Sequence, residues 1–315
     1  MNTEPEEMKG REISALEDYR RCGMSHARYE ILEGAIDIHL HPGPTISLRS
    51  VDLFDAALDA ARVGMRAVVY KPLYFATMDA AYAAQKMVPE VKVFGGVTLD
   101  QVAGGLRPMT VKLAIQMGAK VIWMPLFDSA HTRAKTADVP FYKDRVFGSD
   151  SLSIFDDSGK ITDAVVEIVD LIAASPGVVL DTSHLSPTES IPLIKLAKKR
   201  GVEHVVVTHP TANIIGATVD EQKEMARQGA LLNHCWGYMQ PKPVGAGQDP
   251  SKVAEAIKAV GAQHCIMSSD MGIWYSPPPV EGLRCFAEVM MQCGLTRKDI
   301  DVMLKTNPAR VLGMA

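Results

Sequence analysis

The amino-acid sequence predicts a single (β/α)8 barrel, an α/β fold of the TIM-barrel kind, preceded by a short N-terminal helical extension. Three observations carry this. Eight short apolar, β-branched runs alternate with longer segments of helical period. No internal repeat or Pro/Ser-rich linker breaks that alternation. No G-x-G-x-x-G follows the first run, which counts against an open dinucleotide-binding sheet.

Taken in order, residues 1–34 are charged and partly helical in character and form the extension; the barrel domain spans 35–315. The expected strands are 35–41, 66–71, 91–98, 120–126, 177–183, 204–208, 230–235 and 265–270. Between them lie helices such as 50–63, which opens with Ser50 as cap, then 188–200, 251–260 and 280–293. In the last helical stretch Thr296 is the cap and Asp299 its capping-box partner. The segment 127–160 is too long for a simple connection and reads as a lid or substrate loop.

The bulk numbers narrow the function. The chain has 315 residues, 47% hydrophobic and 22% charged, which suits one large globular domain. A formal charge of -4 gives no reason to expect nucleic acid or an anionic membrane as partner. No apolar run reaches the length of a membrane span, and residues 1–11 are too acidic for a secretory signal, so the expected location is the cytoplasm. The five cysteines, Cys22, Cys235, Cys265, Cys285 and Cys293, are scattered, with no C-x-x-C pair; Cys235 and Cys265 read as buried small hydrophobes. The Met-rich apolar stretches 280–293 and 300–304 are either core filler or a homo-oligomer interface.

The chemistry sits where the strands end, which is where barrel enzymes carry their active sites. These ends read AIDIHLHPGP, AVVYKP, VVLDTSHLSP, VVVTHP and IMSSDMG. His39 and His41 are two apart on a strand and share a side, as does Asp37. His184, His209 and Asp270 arrive at the ends of the fifth, sixth and eighth strands. An H-x-H alone is a weak signal; five such residues in register with strand ends point to a metal site. Imidazole with carboxylate suits a divalent ion, zinc first, with manganese, iron or cobalt open.

This arrangement resembles the amidohydrolase superfamily. The matching residues are His39, His41, His184, His209 and Asp270, and the tail Asn307-Pro308-Ala309 followed by Leu312-Gly313 is similar to a segment that closes its catalytic domains. DIHLHPGP, the strand-two Lys71, T-x-H-L-S and VVVTHP resemble an uncharacterised amidohydrolase-like branch. The resemblance implies a metal-dependent hydrolase acting on a small molecule with one or two ions per chain. One departure stands out: the bridging Lys or Glu of many binuclear members is missing from strand four, which reads Val121-Ile122-Trp123-Met124-Pro125. Lys71 is the nearest substitute, either carboxylated as a bridge or cationic for a substrate anion. With one ion, His39, His41, His184 and Asp270 are the ligands and His209 meets substrate or water. With two, His184 and His209 take the second.

The expected reaction uses metal-activated water to cleave an amide, a lactone or another ester. Asp270 moves the proton, and His209 or Lys71 steadies the oxyanion. Weaker substrate candidates are Arg133 and Arg145 in the long loop, with His131 and Lys143, and Trp236, Trp274 and Tyr275 after strands seven and eight. His234 is a candidate orienting partner for a ligand, and Asp37 and Asp181 orient ligands or serve the fold. His26, His204 and His264 lie toward the far face and carry no role. Two rivals share the barrel: a metal-dependent decarboxylase on the same ligands, and a Schiff-base lyase with Lys71 as nucleophile. A non-enzymatic metal-binding protein is the third alternative.

Overall fold

The strands come in the expected order and at the expected places. The computed structural model describes residues 29–139, 142, 145, 149–240 and 247–314. Residues 1–28, and with them Cys22, His26 and most of the expected extension, lie outside the described residues, as does Lys143. The strands are β1 (Ile36–Leu40), β2 (Ala67–Tyr70), β3 (Lys92–Phe94), β4 (Gly96–Thr98), β5 (Val121–Trp123), β6 (Val179–Asp181), β7 (His204–Thr208), β8 (Leu231–Cys235) and β9 (Cys265–Ser268). They hydrogen-bond in sequence order as two parallel sheets, β1 to β3 and β4 to β9.

Both seams between the sheets have a local cause. The expected third strand, 91–98, is broken only at Gly95, and a Cβ at Gly96 would stand 2.0 Å from the Val121 carbonyl oxygen. The backbones pass too closely there for any side chain. At the other seam the Asp270 N–H donates to the His39 carbonyl at 2.8 Å, and the His41 N–H to the Met271 carbonyl at 2.8 Å. That second seam ties the end of β1 to the segment that follows β9.

Ile36, Ile38, Val69, Val121, Trp123 and Val206 belong to an inner cluster, and a larger cluster fills the layer between strands and helices. The tail has a structural task. Ala309, Val311 and Leu312 join the inner cluster, while the Asn307 side-chain amide donates to the Ala262 and Cys265 carbonyls at 2.9 and 2.7 Å. The tail thus plugs the barrel floor at the start of β9.

The helices include α1 (Leu53–Arg62), α2 (Met78–Met87), α3 (Pro108–Gln116), α4 (Ala130–Thr136), α5 (Asp163–Ala173), α6 (Pro187–Arg200), α7 (Val219–Arg227), α8 (Pro250–Val260), α9 (Pro279–Gln292) and α10 (Arg297–Asp301). Two starts differ from expectation. Asp52, not Ser50, caps α1 through a capping box with Asp55, and Ser186 caps α6 through a box with Glu189. The Ser50 N–H donates to the Gly272 carbonyl, so that stretch is a loop pinned near the site. Thr296 and Asp299 form the expected box on α10. Leu283, Phe286 and Met290 of α9, and Met303 and Leu304 beyond α10, are buried, so these Met-rich stretches are core filler. Cys235 and Cys265 are buried and unpaired. No described helix is long and apolar enough to cross a membrane.

Candidate metal centre

The site is built at the ends of strands by backbone that most residues avoid. Ser183, His209 and Asp270 follow β6, β7 and β9 with φ of 48°, 28° and 51°. Left-handed backbone costs a non-glycine residue roughly 1 kcal/mol or more, and persists only where the surroundings dictate it. Here the surroundings do. The His209 N–H donates to the Asn233 carbonyl at 2.7 Å, the Asp270 N–H to the His39 carbonyl, and the Ser183 N–H to Asp181 Oδ1 at 2.7 Å. Asp181 also accepts the Thr208 hydroxyl, so it holds the turn before His184 rather than entering the cavity.

On β1 a plain alternation fails. Ile36 and Ile38 pack inward, yet Leu40 belongs to the outer cluster and both His39 and His41 line the cavity. The β1–β2 register shifts between Asp37 and Leu40, and that irregularity turns the histidines into the mouth. Asp37 does not line the cavity. Its carboxylate accepts the His39 and Ser269 N–H groups at 3.0 and 3.2 Å, and burial pushes its pKa up to about 7.

His41 Nδ1 lies 2.9 Å from the Lys71 carbonyl oxygen. A carbonyl only accepts, so Nδ1 carries the proton and Nε2 presents a lone pair. That lone pair faces Asp270 Oδ1 at 3.0 Å and His39 Nε2 at 3.2 Å; His39 Nε2 is 3.3 Å from the same carboxylate oxygen. Burial pushes the pKa of both histidines down, His39 to about 3, and thus keeps the rings neutral. Burial alone would raise Asp270, but His39 and His41 draw it well below the usual range, so it is ionised. Two ring nitrogens and a carboxylate oxygen that crowd one point are a donor set for a cation. Two imidazole nitrogens and a carboxylate fit a divalent transition metal.

A second pair lies beside the first group. His184 Nε2 is 3.1 Å from His209 Nε2, and the His39 and His209 ring centres are 6.0 Å apart. Lys71 is 2% exposed; its Nζ has no hydrogen-bond partner among the described residues and stands 5.9 Å from the Trp123 ring centre. Burial pushes its pKa down, against the pull of Asp181 and Asp270. The structure thus brings all six expected residues, His39, His41, Lys71, His184, His209 and Asp270, to one cavity.

The weaker candidates divide. Tyr275 and Arg145 line the cavity. Arg133 does not: it pairs with Asp128 at 2.5 Å and donates to the Ser149 carbonyl, bracing the long loop. Trp236 packs against Phe286 instead of the cavity, and Trp274 is 60% exposed. His131 meets the Ile215 carbonyl. His234 is not the orienting partner. It is fully buried, neither ring nitrogen has a partner among the described residues, and burial lowers its pKa to about 3.

Other residues hold the ligands, and the sequence did not single them out. Thr132 Oγ1 is 3.1 Å from His184 Nδ1, and the Lys71 carbonyl holds His41. Asp100 accepts the N–H groups of Leu126, Phe127 and Asp128 and thereby shapes the long loop. Gly272 lets the chain pass His41: its φ is 123° and a Cβ would stand 2.1 Å from the His41 carbonyl oxygen. Arg49, Tyr142 and Tyr238 also line the cavity. The one available signal was for Arg49, a cation in the short polar loop directly after the HLHPGP strand end.

Comparison with known proteins adds the following. Residues 34–233 match a protein family described as a family of unknown function, DUF6282. No curated protein sequence matches the chain. Among solved structures, an amidohydrolase from Mycoplasma synoviae superposes with a TM-score of 0.56 at 16% identity, covering 90% of this chain and 89% of that one. An organophosphorus hydrolase from Deinococcus radiodurans gives 0.53 at 15%, covering 90% and 94%. A 2,6-dihydroxybenzoate decarboxylase gives 0.53 at 10%, covering 89% and 99%. The fold is the barrel of the amidohydrolases, and these relatives of that fold are enzymes.

Proposed function

The chain belongs to the DUF6282 family of unknown function, and we propose that it is a metal-dependent hydrolase that cleaves an amide, lactone or other ester of a small molecule. The observation that carries the reading is the meeting of the His41 lone pair, His39 Nε2 and the Asp270 carboxylate within 3.3 Å. His39, His41 and Asp270 hold a first divalent ion, zinc being the best match. His184 and His209 would hold a second, and Lys71, which lines the same cavity, is the candidate bridge. For that, its amine, in the unprotonated form that burial favours, would add CO2 with loss of one proton to give the carbamate such a bridge needs. With a single ion, Lys71 stays an amine and His209 faces the substrate.

A divalent ion supplies Lewis acidity: it makes water acidic near neutral pH and polarises a carbonyl oxygen. The rest falls to the chain. Asp270 accepts the proton of the attacking water and returns it to the leaving group. In the single-ion form His209 would donate to the oxygen that gains charge. Thr132 and the Lys71 carbonyl fix the rings of His184 and His41, so little reorganisation is needed as charge moves.

The test is metal content per chain with turnover on an ester, lactone and amide panel, repeated with His39→Ala and Lys71→Ala. About two ions, falling with Lys71→Ala, support the bridged form, and one ion kept without Lys71 supports the single-ion form. No metal after incubation with zinc or manganese overturns the reading. The likeness to a decarboxylase favours a second reading, metal-dependent decarboxylation on the same ligands. It is told apart by CO2 release without incorporation of 18O from water. A buried lysine whose pKa burial pushes down is also what a Schiff-base enzyme needs. Borohydride trapping with a carbonyl substrate would reveal it as a mass gain on that residue.

A further inference from the structure

The cavity has a charge imbalance that the proposed reaction does not explain. Arg49 and Arg145 line it together, and Asp270 is the one carboxylate among its described lining residues. None of the ion pairs among the described residues involves Arg49, and its Nε is buried with no hydrogen-bond partner among them. Burial, with Arg145 nearby, pushes its pKa down to about 10, so it keeps its charge at neutral pH.

The arginine is also held in place. Arg49 bridges Ile273 across two antiparallel segments, the Ser50 N–H donates to Gly272, and the Trp274 N–H donates to Leu48. The loop carrying Arg49 is thereby fastened to the segment that follows Asp270. Arg145 reaches the same loop from the long segment after β5, donating to Ser47 Oγ at 2.9 Å. Two guanidinium groups from different loops therefore line the cavity that holds the reaction centre. A guanidinium fork matches a carboxylate in plane and spacing.

A second cavity of about 730 Å³ adjoins the first, sharing His41, Lys71 and Leu73 with it. Its lining is mainly apolar, with Pro42, Ile46, Leu53, Tyr74 and Phe75 among the walls. Ile46 and Phe75 stand at its rim 64% and 75% exposed. A groove of this character beside a polar centre takes the apolar body of a ligand, while a few placed polar groups fix its orientation.

We propose that the substrate is a small carboxylate with an apolar body, its carboxylate held by Arg49 beside Arg145 and its body seated in the Ile46–Phe75 groove. This rests on the hydrolase reading for the position of the reacting bond, but not for the binding itself. The test is calorimetric titration of zinc-loaded and chelated protein with 3-phenylpropionate, its neutral amide, acetate and phenyl phosphate. Metal content is measured on the same samples. The acid is expected to bind at least tenfold tighter than the amide and than acetate, in both loaded and chelated protein. Arg49→Met should remove that tenfold at unchanged metal content, and Arg49→Lys should restore part of it. Ile46→Glu, on an exposed side chain that leaves the fold alone, should weaken 3-phenylpropionate and leave acetate unchanged. An amide that binds as well as the acid overturns the proposal. So does a preference for the acid that vanishes on chelation, because the anion site would then be the metal. Tighter binding of phenyl phosphate overturns the assignment to a carboxylate. A protein that takes up no metal yet prefers the acid would sink the hydrolase reading and leave this one standing.

Discussion

Asp270→Asn should change sign with the metal. In the chelated protein at pH 8, His41 Nε2 and Asp270 Oδ1 face each other at 3.0 Å as two acceptors, because the His41 proton is committed to the Lys71 carbonyl. Asparagine puts an N–H in place of one of those oxygens. One net hydrogen bond is worth about 1 kcal/mol, and the burial cost of an ionised carboxylate falls away as well, so a gain of about 1.5 kcal/mol is expected. At about 2 °C per kcal/mol for a chain of this size, the chelated variant should melt about 3 °C above the chelated wild type. With saturating zinc the order should reverse. A hundredfold loss in affinity removes about 2.7 kcal/mol of ligand stabilisation, which leaves the variant about 1 kcal/mol below wild type. Thermal unfolding at pH 8, with chelator and with excess zinc, measures both arms. If the variant is no more stable than wild type after chelation, the lone-pair argument is wrong; if zinc does not raise the wild-type midpoint, the donor set holds no metal.

Other consequences can be checked separately. Gly272→Ala places a methyl 2.1 Å from the His41 carbonyl oxygen at a φ of 123°, so it should cost about 3 kcal/mol in urea unfolding and lower metal content as well. Thr132→Val removes the partner of His184 Nδ1; metal affinity, measured against a competing chelator, should fall about tenfold with little change in unfolding midpoint. The fold holds His234 near pKa 3, whereas the unfolded chain binds its proton below the ordinary 6.5, so stability is lost as pH falls from 6.5 towards 3. At pH 5 the loss from this residue is about 2 kcal/mol, and His234→Phe should flatten the pH dependence of unfolding across that window. Arg133→Ala should leave binding of 3-phenylpropionate unchanged, since Arg133 spends its charge on Asp128; a loss comparable with Arg49→Met would contradict the placement of the two arginines.

By itself the sequence determined the barrel, its strand order and the six residues that meet at its mouth. Parallel strands buried on both faces must be written as apolar runs, and a polar residue at the end of such a run stands out against them. His39, His41, Lys71, His184, His209 and Asp270 were legible for that reason. What orients them was not. Thr132 and the Lys71 carbonyl reach their histidines across distances in the chain that leave no local pattern. The same holds for Arg49, whose role depends on a bridge to Ile273, far along the sequence. Period-two reasoning placed Asp37 beside the histidines, and only the structure showed that its carboxylate holds the His39 and Ser269 N–H groups and does not line the cavity. Position in the loops after the strands also favoured Arg133, Trp236 and Trp274, which tertiary packing turned to Asp128, Phe286 and solvent. Composition and periodicity report which face a residue is on; partner choice depends on contacts between segments remote in sequence, and only the folded chain decides those.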